Sequence, residues 1–267
     1  MKLVNLLDDE IEVEKKQRVK AIHNSLQEAA INGSAPSLLQ ILQQHPQILN
    51  TLSHSHSDTP LHLASLLGHS AFAKLLLNHN PDLTSHLNQQ GSSPLHLAAA
   101  KGYVDIVKDL LLVNPDMCLV WDRQGRTPLH LAAIKGRIGV LAEFVRVKPE
   151  ATRVFTSTGD SALHLCVKFN RPLEALKVFV ECVRGDDEFV NWRDSHGNTV
   201  LHLAVTNKQL QVCLLFFIYI VVYSPFVIKI DSIIGGCLVG IWYGTINYQK
   251  KKYNTIGFKI EQYYFLE

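Results

Sequence analysis

Thirteen histidines and five cysteines are the side chains of this 267-residue chain best suited to hold a metal or act as nucleophiles. The densest group is "HSHSD", with His54, His56 and Asp58, close to His62. Zinc needs four ligands at short, defined spacings, and two histidines two apart on a loop offer no third or fourth ligand in sequence. His62, His96, His130, His164 and His202 have another explanation: each stands third after a Thr or Ser, inside Leu-His-Leu. A position that recurs in this way reads as support for a helix start, so no metal is assigned. The cysteines (Cys118, Cys166, Cys182, Cys213 and Cys237) are odd in number, widely spaced and lack a C-x-x-C pair, which points to a reducing compartment. There is no G-x-S-x-G elbow, no phosphate-binding glycine loop ending in Lys-Ser/Thr and no H-E-x-x-H. The chain therefore reads as a non-enzyme that needs no cofactor and takes no small-molecule substrate.

The elements around those histidines repeat. "TPLHLA" starts at Thr59, "SPLHLA" at Ser93, "TPLHLA" at Thr127, "SALHLC" at Ser161 and "TVLHLA" at Thr199, in steps of 34, 34, 34 and 38. A fainter copy, "NSLQEAAING", starts at Asn24. A glycine follows nine residues after the start (Gly33, Gly68, Gly102, Gly136) and a proline 22 residues after (Pro46, Pro81, Pro115, Pro149). A fixed period of this length means stacked units that bury a core only between neighbours.

Each recurring residue has a mechanical role. The Thr or Ser suits the N-cap of a helix, where its hydroxyl accepts from an orphan backbone N–H. Pro60, Pro94 and Pro128 fall at the first helical position, where a missing N–H costs nothing. The glycine ends this short helix. A second helix follows, with Val104, Val107, Leu110 and Leu111 in one copy and Ile138, Leu141, Phe144 and Val145 in the next; the proline ends it. Gly91, Gly125, Gly159 and Gly197, two residues before each cap, mark turns that fit hairpin-like fingers.

Charge is balanced over residues 1–211, with 21 basic and 21 acidic side chains, and residues 212–267 add five lysines and three acids. Neither part has the basic excess that nucleic-acid binding requires. The N-terminus lacks a signal peptide's apolar core, because Asp8, Asp9 and Glu10 break the run. The repeats are therefore expected in the cytosol.

These motifs make the chain resemble the ankyrin repeats, whose hallmark is the T-P-L-H-x-A helix start with a period near 33. The resemblance covers residues 24–211, and stretches such as "SSPLHLAAAKGYVDIVKDLL" are similar to plant ankyrin proteins of the bian-da type. The fold implied is all-α: an ankyrin-repeat solenoid of about six helix-turn-helix units with fingers, followed by a hydrophobic C-terminal tail. Its layout is an N-terminal helix or tail (1–20), a degenerate unit (21–56), units at 57–90, 91–124, 125–158 and 159–196, an incomplete unit (197–217), a hydrophobic stretch (212–246) and a polar, aromatic end (247–267). The function implied is protein–protein interaction through the concave face and finger tips. Candidate contacts are His56, Asp58, Gln89, Gln90, Asp122, Arg123, Gln124, Arg126, Ser157, Asp160, Asp194, Ser195, His196 and Asn198 on the fingers, with Lys101 and Lys135 on the helices. The alternative for each is ordinary solvated surface. In the bian-da group a "PGG" domain of membrane helices follows the array and members act in immune signalling, but no Pro-Gly-Gly triplet occurs here.

The end of the chain is differently composed. Residues 212–267 contain no Ala, Arg or His, yet hold seven of the eight tyrosines. Three readings compete. Leu210, Cys213, Phe216 and Phe217 are in register with the second helix of a sixth unit. Val212 to Ile228 is a 17-residue stretch without charge, at the lower limit for a membrane span. The third is genetic: Val-Cys can be encoded by GTATGT, a common plant intron start, and the rest has the composition of translated AT-rich intron. The expectation is thus a membrane location, such as the plasma membrane, with a cytosolic array; the alternative is a cytosolic binding module.

Overall fold

The computed structural model describes residues 2–54, 57–182, 189 and 191–223. The chain divides into two units, Met1–Val200 and Leu201–Glu267. The first holds α1 (Lys2–Asn32), α2 (Ala35–Gln44), α3 (Pro60–Leu67), α4 (Ser70–His79), α5 (Pro94–Lys101), α6 (Val104–Val113), α7 (Pro128–Lys135), α8 (Ile138–Val147), α9 (Ala162–Lys168) and α10 (Leu173–Cys182). α11 (Val200–Thr206) starts at its last residue, and α12 (Leu210–Tyr223) lies in the second unit. No strand occurs among the described residues.

Within the first unit the helices form two rows. α1, α3, α5, α7 and α9 pack one on the next as the inner row, while α2, α4, α6, α8 and α10 make the outer row. Buried alanines let the inner helices approach closely: Ala98, Ala99, Ala132 and Ala133 are fully covered. The outer row fills the space behind with larger groups, Phe72, Leu76, Val107, Phe144 and Phe179, all inaccessible or nearly so. Each such side chain contributes roughly 1.5–3 kcal/mol of burial. α1 runs unbroken past residue 20, so the helix of the degenerate unit and the N-terminal segment are one element. Its C-terminal part enters the core through Leu26, Ala29 and Ala30, and residues 14–21 are exposed.

The expected start signals work as one device. Thr59, Ser93, Thr127 and Ser161 are extended N-caps of α3, α5, α7 and α9, and each accepts from the backbone N–H of the histidine three residues on. The histidine reciprocates, so each start is a capping box with His in the place usually held by Glu or Gln. At α3 the Thr59 N–H donates to His62 Nδ1 (3.2 Å), and that ring's Nε2 lies 3.0 Å from the carbonyl oxygen of Ser92 in the next repeat. Nδ1 must accept, so Nε2 carries the proton and donates. His96 reaches the carbonyl of Arg126 (3.2 Å), His130 that of Val154 (3.0 Å) and His164 that of Asn198 (3.1 Å).

The ends are equally explicable. Gly68 closes α3 at φ 88°, a left-handed conformation disfavoured for L side chains, and a Cβ there would lie 2.7 Å from the Tyr103 ring. In the fourth copy, which lacks that glycine, Asn170 takes the left-handed position at φ 50°; Asn tolerates it best among residues with a Cβ. Pro81, Pro115 and Pro149 end the outer helices by opening a 3-10 turn. The residue before each, Asn80, Asn114 or Lys148, donates its N–H back to Leu76, Leu110 or Phe144.

In the second unit, α12 follows α11 after Lys208, which adopts φ 56°. Val212, Cys213 and Phe216 are buried. No helix among the described residues is long and apolar enough to cross a membrane. Readings that concern residues 224–267, including the rest of the 212–246 hydrophobic stretch, lie outside the described residues.

Burial dominates the titration of the capping histidines. It pulls His96 and His130 down to about 4, and His62 and His164 also below their ordinary value. The unfolded chain therefore binds more protons between about 4 and the ordinary 6.5. Stability is complete above that window and falls as pH drops through it, by on the order of 3 kcal/mol per ring for His96 and His130. Urea unfolding should show a lower midpoint at pH about 5 than at pH about 7, and His130→Gln should flatten that slope. A midpoint independent of pH over this range would remove the histidines from this role.

Candidate functional site

Exposed polar groups line the fingers and the ends of the inner helices. Each finger is organised by a side chain five residues before the cap. Asp122 Oδ1 accepts from the N–H groups of Gln124 and Arg126 (both 2.9 Å), and its Oδ2 accepts from Arg126 Nε (3.0 Å) and Nη2 (2.8 Å). Asn88 does the same through Oδ1 to the N–H groups of Gln90 and Ser92, and Asp194 to those of His196 and Asn198. These are Asx turns, which need a short polar side chain at the head of the loop. Burial pushes the Asp122 carboxyl up, but the Arg126 guanidinium and the turn's N–H groups outweigh it and hold it below the usual carboxylate range.

Successive fingers are stitched together. The Arg123 N–H donates to the carbonyl of Gln90 (3.0 Å), and the Ser157 N–H to that of Gly125 (3.1 Å). Gly125, at φ 67°, allows this approach, because a Cβ there would meet Ser157 at 2.4 Å. The tips are therefore a continuous surface on a fixed scaffold.

One contact defines how the inner helices face the fingers. Lys168, at the end of α9, donates from Nζ to Asp160 Oδ1 (2.6 Å) and to Asp194 Oδ2 (3.0 Å), which joins two adjacent fingers. Burial alone would lower Lys168 and raise Asp194; the ion pairs reverse both, so that the ammonium is raised and Asp194 is held at about 2. By repeat register, Ala100 and Ile134 stand where Lys168 stands, half-buried, and one turn earlier come Leu63, Leu97 and Leu131, also half-buried. The angle between helices and fingers is thus floored by apolar side chains.

The sequence candidates separate into two groups. Gln89, Gln90, Arg123, Gln124, Ser157, Ser195 and His196 are exposed on the tips, and Lys101 and Lys135 are exposed at the ends of α5 and α7. Asp122, Asp160 and Asp194 are each only 6% exposed and are engaged in holding the fingers. Arg126 is committed to Asp122, Asp58 accepts from Asn88 Nδ2 (2.8 Å), and the Asn198 carbonyl accepts from His164. These six build the surface, and the other nine described candidates present it. His56 lies outside the described residues. Among the described residues no group of three or more His, Cys, Asp or Glu side chains is placed to hold a metal ion. Cys118 and Cys166 are buried, and burial pushes both thiols up to about 12, far from a reactive thiolate.

Sequence reasoning missed Trp121, 58% exposed, and Leu87, 40% exposed. Both sit six residues before a cap, as do Phe155 and Arg193, so their register was the available signal. The Phe155 ring packs against Trp192 at 4.6 Å between centroids, and Trp192 against Phe189 at 4.8 Å. Lys168 was missed as well, because it stands seven residues after its cap, one register position before Lys101 and Lys135.

Replacing Lys168 by Met should leave Asp160 and Asp194 facing each other without a cation. The Asp194 resonance should then titrate well above its present value of about 2, and the array should lose roughly 1.5–3 kcal/mol. An unchanged Asp194 titration in a side-chain NMR experiment would show the ion pairs to be inert.

Comparison with known proteins agrees with this architecture. No curated protein matches the chain. A family model described as ankyrin repeats, three copies, matches residues 26–119 and, in an overlapping match, 84–147. Ankyrin repeats are thus detected across residues 26–147, which contain α2 to α8 and the fingers between them.

Proposed function

We propose that the chain is a non-enzymatic protein-interaction scaffold whose partner lies along the finger tips and inner-helix ends of the first unit. Ankyrin repeats serve as protein-binding modules, which supports the general class. The observation that carries the reading is the division of labour in the fingers. Their carboxylates are spent internally, whereas Gln89, Gln90, Arg123, Gln124, Ser195 and His196 project from a rigid frame. A catalytic surface needs converging reactive groups of shifted pKa, while a recognition surface needs varied, pre-positioned side chains.

A photo-crosslinking residue at position 90, 123 or 195 should capture a protein partner in cells. The same residue at Lys74 or Lys177 on the outer helices should capture none. Adducts only from the outer positions, or none from any, would refute the placement.

Association with a membrane through residues 212–246, and a role in plant defence signalling, belong to the same proposal. Their support is the charge-free stretch Val212 to Ile228 and the resemblance to bian-da proteins. Resistance of the expressed chain to carbonate extraction is the expected result. Recovery as a soluble monomer would favour the alternative, a cytosolic binding module.

A further inference from the structure

We infer that this surface takes an acidic polypeptide segment bearing apolar side chains, an inference that rests on the scaffold reading above and specifies its partner. The first ground is the pairing of charges. Lys101, Lys135 and Arg123 are exposed and have no ion-pair or side-chain hydrogen-bond partner among the described residues. Of the acids beside them, Asp122 is neutralised by Arg126, and Asp160 and Asp194 share the single ammonium of Lys168, which leaves one net negative charge at that end. The outer row is mixed. Lys108, Arg146 and Lys148 are paired with Glu143 and Asp116, while among the described residues Asp105, Asp109 and Glu174 carry no ion pair, and neither do Lys74 and Lys177. An acidic chain is therefore drawn more to the helix ends and fingers, where three cations are open, than to the outer face, where open charges of both signs alternate.

The second ground is apolar. Trp121 is 58% exposed and flanks Arg123 across one residue, and Leu87 occupies the same register on the preceding finger. An exposed tryptophan beside unpaired cations, on a backbone fixed by the Asp122 turn, has the character of an interface anchor. The half-buried Ala100 and Ile134, one residue before Lys101 and Lys135, offer the partner's aliphatic groups apolar contacts. A nucleic acid would need a broader basic field than three cations.

The test is to pan a random-peptide display library on the full-length chain. Selected peptides should be enriched in Asp and Glu over the input library and should contain aliphatic or aromatic residues. A selected peptide should bind less tightly as salt rises. Lys101→Glu/Lys135→Glu should weaken it about tenfold or more, and so should Trp121→Ala. Lys74→Glu/Lys177→Glu, the same charge change on the outer helices, should leave affinity intact or raise it by abolishing a competing site. Thermal unfolding of every variant separates lost binding from lost folding. Selected peptides without acidic enrichment, or binding indifferent to Lys101→Glu/Lys135→Glu, overturn the acidic partner while leaving the scaffold reading in place. Failure to select any peptide overturns both. Binding of phosphatidylserine vesicles through Lys101 and Lys135, with no peptide selected, would identify a lipid surface as the occupant and likewise overturn the inference.

Discussion

The interaction on which the first unit depends is the buried imidazole third in each inner helix. His62, His96, His130 and His164 have no accessible surface. Each ring accepts at Nδ1 from its own N-cap and donates at Nε2 to a carbonyl of the following repeat. Local helix initiation and long-range stacking are thus one hydrogen-bond system, and neither is complete without the other. A polar ring buried this deeply is tolerable only because both nitrogens are satisfied. The same bonding leaves no lone pair for a metal, which is why a histidine-rich chain of this kind is structural rather than metal-binding at these four positions.

Rigidity passes from that system to the surface. The carbonyls that receive the histidines belong to the fingers, so the tips inherit their positions from the core of the preceding repeat. Asx turns and finger-to-finger backbone bonds then fix the tips relative to one another. A partner meets side chains on a backbone already ordered, and the entropy cost of association is correspondingly lower. The tips differ in what they present: Gln89 and Gln90 on one, Arg123 and Gln124 on the next, Ser157, then Ser195 and His196.

Much of the fold was legible because its signals are local. A hydroxyl before Pro-Leu-His, a glycine nine residues after it and a proline 22 after it each act within one helical turn or one bend, so their period could be read directly. The site was legible only in outline. Position on a finger predicted exposure, but Asp122, Asp160 and Asp194 turn inward because a carboxylate at the head or base of a loop finds N–H groups and cations within reach. Trp121 escaped notice for the opposite reason: aromatic side chains are expected inside, and nothing local shows that this one has no neighbour to cover it.

By itself, the sequence determined the repeat, its caps and stops, the structural character of the recurring histidines and the positions of the fingers, since all of these follow from hydrogen bonds and torsions between near neighbours in the chain. Only the tertiary structure decided that α1 is a single helix through residues 2–32, that Asn170 replaces a glycine, that Lys168 joins two fingers, and which cations remain unpaired. Those outcomes depend on groups tens of residues apart meeting across stacked repeats. Charge compensation in particular is a property of distances in space, so composition could show a balanced chain without showing which of its charges are paired and which are left open.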